Sequence, residues 1–144
     1  MSYLNGMNIS ASALTAQRTR MDVIAENMAN IDTTRTPEGT PYAKKSVILE
    51  EKNSKFAQVL QRSAGREVDG GVRISQITED TQNFKLVYDP VHPDADAAGY
   101  VRMPNVDANE EMVNMLSAYR SYEANVTVFN TYKDLAVKTF EISG

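Results

Sequence analysis

The sequence predicts an α+β chain: long N- and C-terminal helices pairing as an antiparallel coiled coil, with a small β-rich middle region. Three observations carry this. All five prolines lie between Pro37 and Pro104, so neither end contains the residue that breaks a helix. Apolar residues recur at coiled-coil spacing over both ends. Between them, short runs alternate apolar and polar residues and are separated by glycine- and proline-rich turns.

The first helix is expected over about residues 5–30, roughly 40 Å at the rise of an α-helix. Met7, Leu14, Met21 and Met28 are seven apart. Leu4, Ala11 and Ala25 fill the companion line, with Arg18 the exception, and Ile24 and Ile31 widen the stripe. Asn30 is the expected C-cap, because Asn tolerates the left-handed turn that often ends a helix.

The middle reads as β. Val47 and Leu49 alternate around Ile48, Val72 and Ile74 follow the turn signal Asp69-Gly70-Gly71, and Phe84, Leu86 and Tyr88 alternate before Pro90. The run SKFAQVLQRSAG between the first two reads as a short helix or a strand. DPVHPDADAAGYVRMP reads as an extended, irregular connection.

The last helix is expected from just after Asp107 to about Ile142. Asp107 with Glu110 forms a capping-box pattern, and both acids favour the positive end of the helix dipole. Met112, Tyr119, Val126, Lys133 and Phe140 are seven apart, and Met115, Tyr122, Phe129 and Ala136 follow three residues behind. A further line of Val128, Leu135 and Ile142 exceeds what a helical hairpin needs and asks for another neighbour. The expected organisation is therefore residues 1–35 and 105–144 as the two helices of a coiled-coil domain, with 36–104 as a β-rich insertion and extended connection.

Composition narrows the function. With no cysteine, disulfides, zinc-thiolate sites and thiol nucleophiles are impossible. The net charge of −4 is spread without a basic patch, which argues against nucleic-acid binding. Residues 37–104 hold nine basic and ten acidic side chains, whereas 1–36 hold three of each and 105–144 hold three and six. The helical ends are thus poor in charge, as suits surfaces that meet protein. The N-terminus lacks the basic start and apolar block of a cleavable signal peptide. No stretch approaches the roughly 20 apolar residues of a membrane span, so direct membrane insertion is not expected.

Catalytic and cofactor motifs are not found. His92 is the sole histidine, set between Pro90 and Pro93 in a loop without a second soft ligand. Asp94 to Gly99 resembles the start of a calcium loop, but Ala98 and Asn105 stand where two of its strongest ligands belong, so it reads as a turn with solvated carboxylates. There is no nucleophile elbow, dinucleotide fingerprint or phosphate loop. The expectation is a non-enzymatic protein with no cofactor and no metal.

The stretch from Ala13 to Thr33 contains Asn27-Met28-Ala29-Asn30, then Ile31 and the pair Asp32-Thr33. It resembles the N-terminal signature of bacterial flagellar rod and hook proteins. NVDANEEMVNMLSAYRSYEANVTVFNTYKDLAVKTFEI resembles the C-terminal signature of the same axial family, and LVYDPVHPDADAAGYVRMPNV narrows the likeness to the proximal rod. The resemblance implies a structural subunit, exported unprocessed through the flagellar type III apparatus to the basal body. It implies polymerisation with copies of itself and other rod proteins into a tube lined by the terminal helices.

The residues expected to form helix–helix and subunit contacts are Leu14, Met21, Ile24, Asn27, Met28, Asn30, Met112, Met115, Tyr119, Tyr122, Val126 and Phe129. Leu14, Met21 and Met28 are expected to face the stripe of Met115, Tyr119, Tyr122 and Val126. Asn30 is read as a cap and Asn27 as a contact between subunits. Arg18, where the family motif often has an arginine, is read as a partner contact. The rivals are another axial rod protein and a soluble helical-hairpin adaptor or chaperone. The adaptor requires charged flanking positions, whereas Leu116, Ala118, Asn125, Asn130 and Val137 suit burial.

Overall fold

A computed structural model describes residues 3–52, 60, 63 and 70–143. The described elements run α1 (Tyr3–Ala29), β1 (Lys44–Glu51), β2 (Val72–Asp80), β3 (Lys85–Tyr88), β4 (Tyr100–Met103) and α2 (Ala108–Ser143). This is two long helices with a small β middle, an α+β chain. Among the described residues β1 pairs with β2, and β3 pairs antiparallel with β4. The run SKFAQVLQRSAG falls almost wholly outside the described residues.

Both helices match the sequence expectation to within about two residues, but their ends are made differently. Asp107 caps α2: its Oδ1 accepts from the backbone N–H of Asn109 at 2.9 Å and of Glu110 at 3.1 Å. Those bonds to the ionised form hold its carboxyl below the usual carboxylate range. The box is only half formed, because Glu110 turns its carboxylate to Lys44 Nζ, 2.9 Å away. At the end of α1, Asn30 Nδ2 donates to Glu26 O at 2.9 Å, and Thr33 Oγ1 donates to Asn30 Oδ1. Asn30 therefore closes its own helix. It does so without the left-handed conformation, since no non-glycine described residue has positive φ.

β4 is the element the sequence reading missed; YVRM lies in the run read as irregular. It becomes a strand by pairing, with Tyr88 opposite Tyr100 and Leu86 opposite Arg102. The Tyr88 and Tyr100 rings meet edge-to-face at 5.3 Å. The hairpin buries Val101 while all four residues of β3 remain exposed. The alternation of Leu86 and Tyr88 thus marks a strand but not a buried face, and Phe84 lies just before it.

The described residues fall into two compact units. One draws on 1–19, 48–76 and 118–144. In it Ser10, Ala16 and Ala118 are buried. Gly6 lies so near Tyr132 that a Cβ there would come within 2.5 Å of the ring. Ser12 Oγ donates to Ile9 O and accepts from Val72 N at 3.0 Å, which holds the start of β2 against α1. A Cβ on Gly71, whose φ is 144°, would lie 2.8 Å from that hydroxyl. The other unit draws on 20–47 and 77–117, and buries Val23, Ile24, Asn27, Tyr42, Val101, Pro104, Val106 and Glu111.

Candidate assembly surfaces and a buried polar clasp

α2 has an inward line and two outward flanks. Glu111, Met115, Ala118, Tyr122, Asn125, Phe129, Tyr132 and Ala136 are buried or half-buried, and they alternate in steps of four and three. That is the seam of a heptad helix. Of the two expected lines, Met115, Tyr122, Phe129 and Ala136 lie on this seam. The line of Met112, Tyr119, Val126 and Phe140 lies one position to the side, with Val126 half-buried and the others exposed. On the opposite flank Val128, Leu135 and Ile142 are exposed as well. The large apolar residues of α2 are thus mostly beside the seam, while the seam itself takes Glu111, Ala118 and Asn125.

α1 mixes small, polar and apolar residues on its buried side. Its most buried residues are Ser10, Ala16, Val23, Ile24 and Asn27, whereas Leu14, Met21 and Met28 are half-buried. Arg18 is exposed on this helix. Exposed threonines satisfy their hydroxyls on the helices' own carbonyls, as Thr15 and Thr19 do on α1 and Thr127, Thr131 and Thr139 on α2.

Asn27 sits 1% exposed at the centre of a polar clasp. Its Nδ2 donates to Lys45 O at 2.9 Å and to Glu111 Oε2 at 3.0 Å. Its Oδ1 accepts from Lys45 N and from the Tyr42 hydroxyl, both at 2.9 Å. All four hydrogen-bonding positions of the amide are occupied within the chain. Glu111 is equally buried, and its other oxygen lies 3.1 Å from Lys44 Nζ as an ion pair rather than an aligned hydrogen bond. Around this core Lys45 pairs with Glu26 and reaches over the Tyr42 ring. Burial, reinforced by the carboxylates of Glu26, Glu79 and Glu111, pushes the Tyr42 phenol up to about 12. The Lys45 bond to Glu26 holds its ammonium above its ordinary range. Burial alone would lower the Lys44 ammonium, but the neighbouring Glu110 and Glu111 carboxylates outweigh this and raise it. The amide is thus fully used within the chain, and its bond to Glu111 joins the two helices.

The loop from Asp89 to Gly99 is held by its own side chains and by Thr34 and Arg35. Asp96 Oδ1 accepts from Ala98 N and Tyr100 N, Asp94 takes Thr34 Oγ1 and Arg35, and His92 Nδ1 accepts from Asp94 N at 3.1 Å. The Asp96 carboxylate is thus committed to its own turn and that of Asp94 to Thr34 and Arg35. No helix of the described residues is long and apolar enough to cross a membrane, and no three metal-capable side chains gather among them.

Two family profiles match the chain at its ends: "Flagella basal body rod protein" over residues 7–35, and "Flagellar basal body rod FlgEFG protein C-terminal" over 97–140. Full-length relatives decide between members. The flagellar basal-body rod protein FlgC of Bacillus subtilis (strain 168) is 50% identical over 148 residues, covering 99% of each chain. The chain belongs to the FlgC family of flagellar basal-body rod proteins. FlgC of Yersinia enterocolitica is 48% identical, covering 99% of this chain and 98% of its own, and FlgC of Borreliella burgdorferi is 42% identical, covering 94% and 93%. As a FlgC-family protein the chain is a structural subunit of the proximal rod and not an enzyme, and its place is the flagellar basal body. The N-terminal profile contains the clasp asparagine and the cap asparagine together.

Proposed function

We propose that the chain builds the proximal rod by polymerising through its terminal helices, with copies of itself and with other rod proteins, into a shaft that transmits torque. One observation carries this reading: exposed apolar residues flank the α2 seam on both sides, Met112 and Tyr119 on one and Val128, Leu135 and Ile142 on the other. An isolated helical pair keeps charged residues at those flanks. Apolar flanks on both sides fit a helix that has neighbours on both sides, and they disfavour the soluble adaptor.

Within the subunit, the reading pairs α1 and α2 as an antiparallel coiled coil. Two contacts support it: Gly6 near the start of α1 meets Tyr132 late in α2, and Asn27 near the end of α1 meets Glu111 at the start of α2. Residues 1–35 and 105–144 then form the assembling domain and 36–104 the insertion. Delivery through the flagellar type III export apparatus, without a cleavable signal peptide, belongs to the same reading.

Cysteine pairs test it in assembled basal bodies. Gly6 with Tyr132 positions should crosslink within one chain, and Tyr119 with Leu135 positions should crosslink between chains. Basal bodies imaged with and without the protein should differ by the proximal rod. Crosslinks confined to a monomer, with flank cysteines fully reactive in basal bodies, would favour the adaptor.

A further inference from the structure

We infer that Asn27 is a positioning residue for assembly: it ties β1 to the first turn of α2 through Glu111, fixes where α2 starts, and touches no neighbouring subunit. The assembly half of this rests on the polymer reading above; the clasp does not.

The chemistry requires an amide. Toward Lys45, Asn27 presents one donor and one acceptor to that residue's carbonyl and N–H, as a neighbouring strand would. Its second N–H is then left for Glu111 and its second lone pair for Tyr42. No other side chain of this length offers two donors and two acceptors. A carboxylate of the same shape would face the Lys45 carbonyl and the Glu111 carboxylate with acceptors only. Asn30, three residues on, spends its amide on its own helix end. The two asparagines of one motif therefore do separate work, one closing α1 and one placing α2.

This makes Asn27→Asp a sharp test in the purified full chain. Two carboxylates at hydrogen-bond distance in a buried site share one proton. The charged groups around them are Lys44 and Lys45 from β1, Glu26 from α1, Glu110 and Glu111 from α2 and Glu79 from β2, with the Tyr42 phenol. Both lysines are already paired with native carboxylates. The shared proton raises the folded-state pKa of the pair, so stability is held at acid pH and lost as pH rises through that raised value.

From about pH 5 to about pH 8 the folding constant of Asn27→Asp should fall at least tenfold more than that of wild type. Adding Glu111→Gln, which removes the rival charge and supplies a donor, should remove most of that excess and restore swimming to the double variant, the remainder coming from the acceptor left facing the Lys45 carbonyl. An Asn27→Asp profile parallel to wild type overturns the clasp, as does failure of Glu111→Gln to suppress it, or failure of both variants to fold at any pH. If Asn27→Asp does not fold alone but does so with Glu111→Gln, the clasp is supported. A double variant with its profile restored, exported yet unable to form rods, refutes the assembly half alone. An Asn27→Asp monomer as stable as wild type that still fails to assemble would return Asn27 to the subunit interface.

Discussion

The start and the distal half of α2 have opposite surfaces. At the start, polar bonds from distant segments hold the helix: Asp107 caps it, Lys44 pairs with Glu110 and Glu111, and Asn27 donates to Glu111. Beyond Tyr119 the side chains of Asn125, Thr127, Thr131 and Thr139 spend hydrogen bonds on carbonyls of their own helix, and the apolar flanks are exposed. The start is placed by bonds whose geometry admits one arrangement. The distal half carries non-directional surface, which gains free energy only when something covers it. A subunit needs both: a fixed point from which the helix departs, and a surface left to be completed by neighbours.

The largest effect should come from charging the distal flank. Val128→Asp with Leu135→Asp should abolish rod formation and swimming, because each carboxylate would have to be desolvated in a subunit contact. Both residues are at least 44% exposed in the chain, so the monomer should lose no more than about 1 kcal/mol. Urea unfolding of the monomer beside imaging of basal bodies separates the two. Equal loss in both would mean that the flank serves the monomer's own fold.

Next in size is the clasp. Glu111→Ala should destabilise the monomer by about 3 kcal/mol, since it leaves the buried Asn27 donor unpaired and removes one of the two carboxylates paired with Lys44. Glu110→Ala, which removes the more exposed partner of the same lysine, should cost well under 1 kcal/mol. A ratio near one between these two losses would show that Glu111 gains nothing from its burial.

These contrasts also explain what the sequence could reveal. Helix limits were legible because proline position, heptads and the Asp107 cap are local signals. The seam was not. Its companion line begins with Glu111, Ala118 and Asn125, which are polar or small, so the apolar pattern pointed to the neighbouring line of Met112 and Tyr119 instead. β4 was hidden for a different reason: four residues after a proline-rich run become a strand only through pairing with β3. Asn27 was recognisable as part of a motif, but its partners, Tyr42, Lys45 and Glu111, lie 15, 18 and 84 residues away. No spacing rule reaches that far. Where burial is polar, hydropathy patterns find the element and misplace its face.

A smaller effect tests close approach at the other end of the helices. Gly6→Ala brings a Cβ within 2.5 Å of the Tyr132 ring, so the ring must move. Alanine also favours the helix by up to about 1 kcal/mol over glycine, which offsets part of the overpacking. The expected net loss is about 1 kcal/mol in urea unfolding. Gly6→Ala combined with Tyr132→Ala should lose less than the sum of the two single changes, because the clash is absent. Strict additivity would mean that the two residues do not meet.

The smallest effect concerns the cap of α2, and pH isolates it. Asn in place of Asp107 keeps a capping oxygen but removes the charge at the positive end of the helix dipole. Bonds from the Glu110 and Asn109 N–H groups hold the Asp107 carboxyl below its ordinary value, with Lys85 and Lys44 adding to this. A depressed folded-state pKa contributes stability that is present above the unfolded carboxylate range and lost as pH falls through the folded value. Wild type should therefore exceed Asp107→Asn in stability at neutral pH, and the gap should close as the solution becomes more acidic than the usual carboxylate range. Added salt should narrow the neutral gap, since the site is exposed and the dipole and lysine contributions are screened. The hydrogen bonds themselves are less sensitive to salt, so some of the gap should survive it. Paired thermal melts across pH, at low and high salt, measure both. A gap that stays constant into acid would show that the charge of Asp107 contributes nothing and that the cap works by geometry alone.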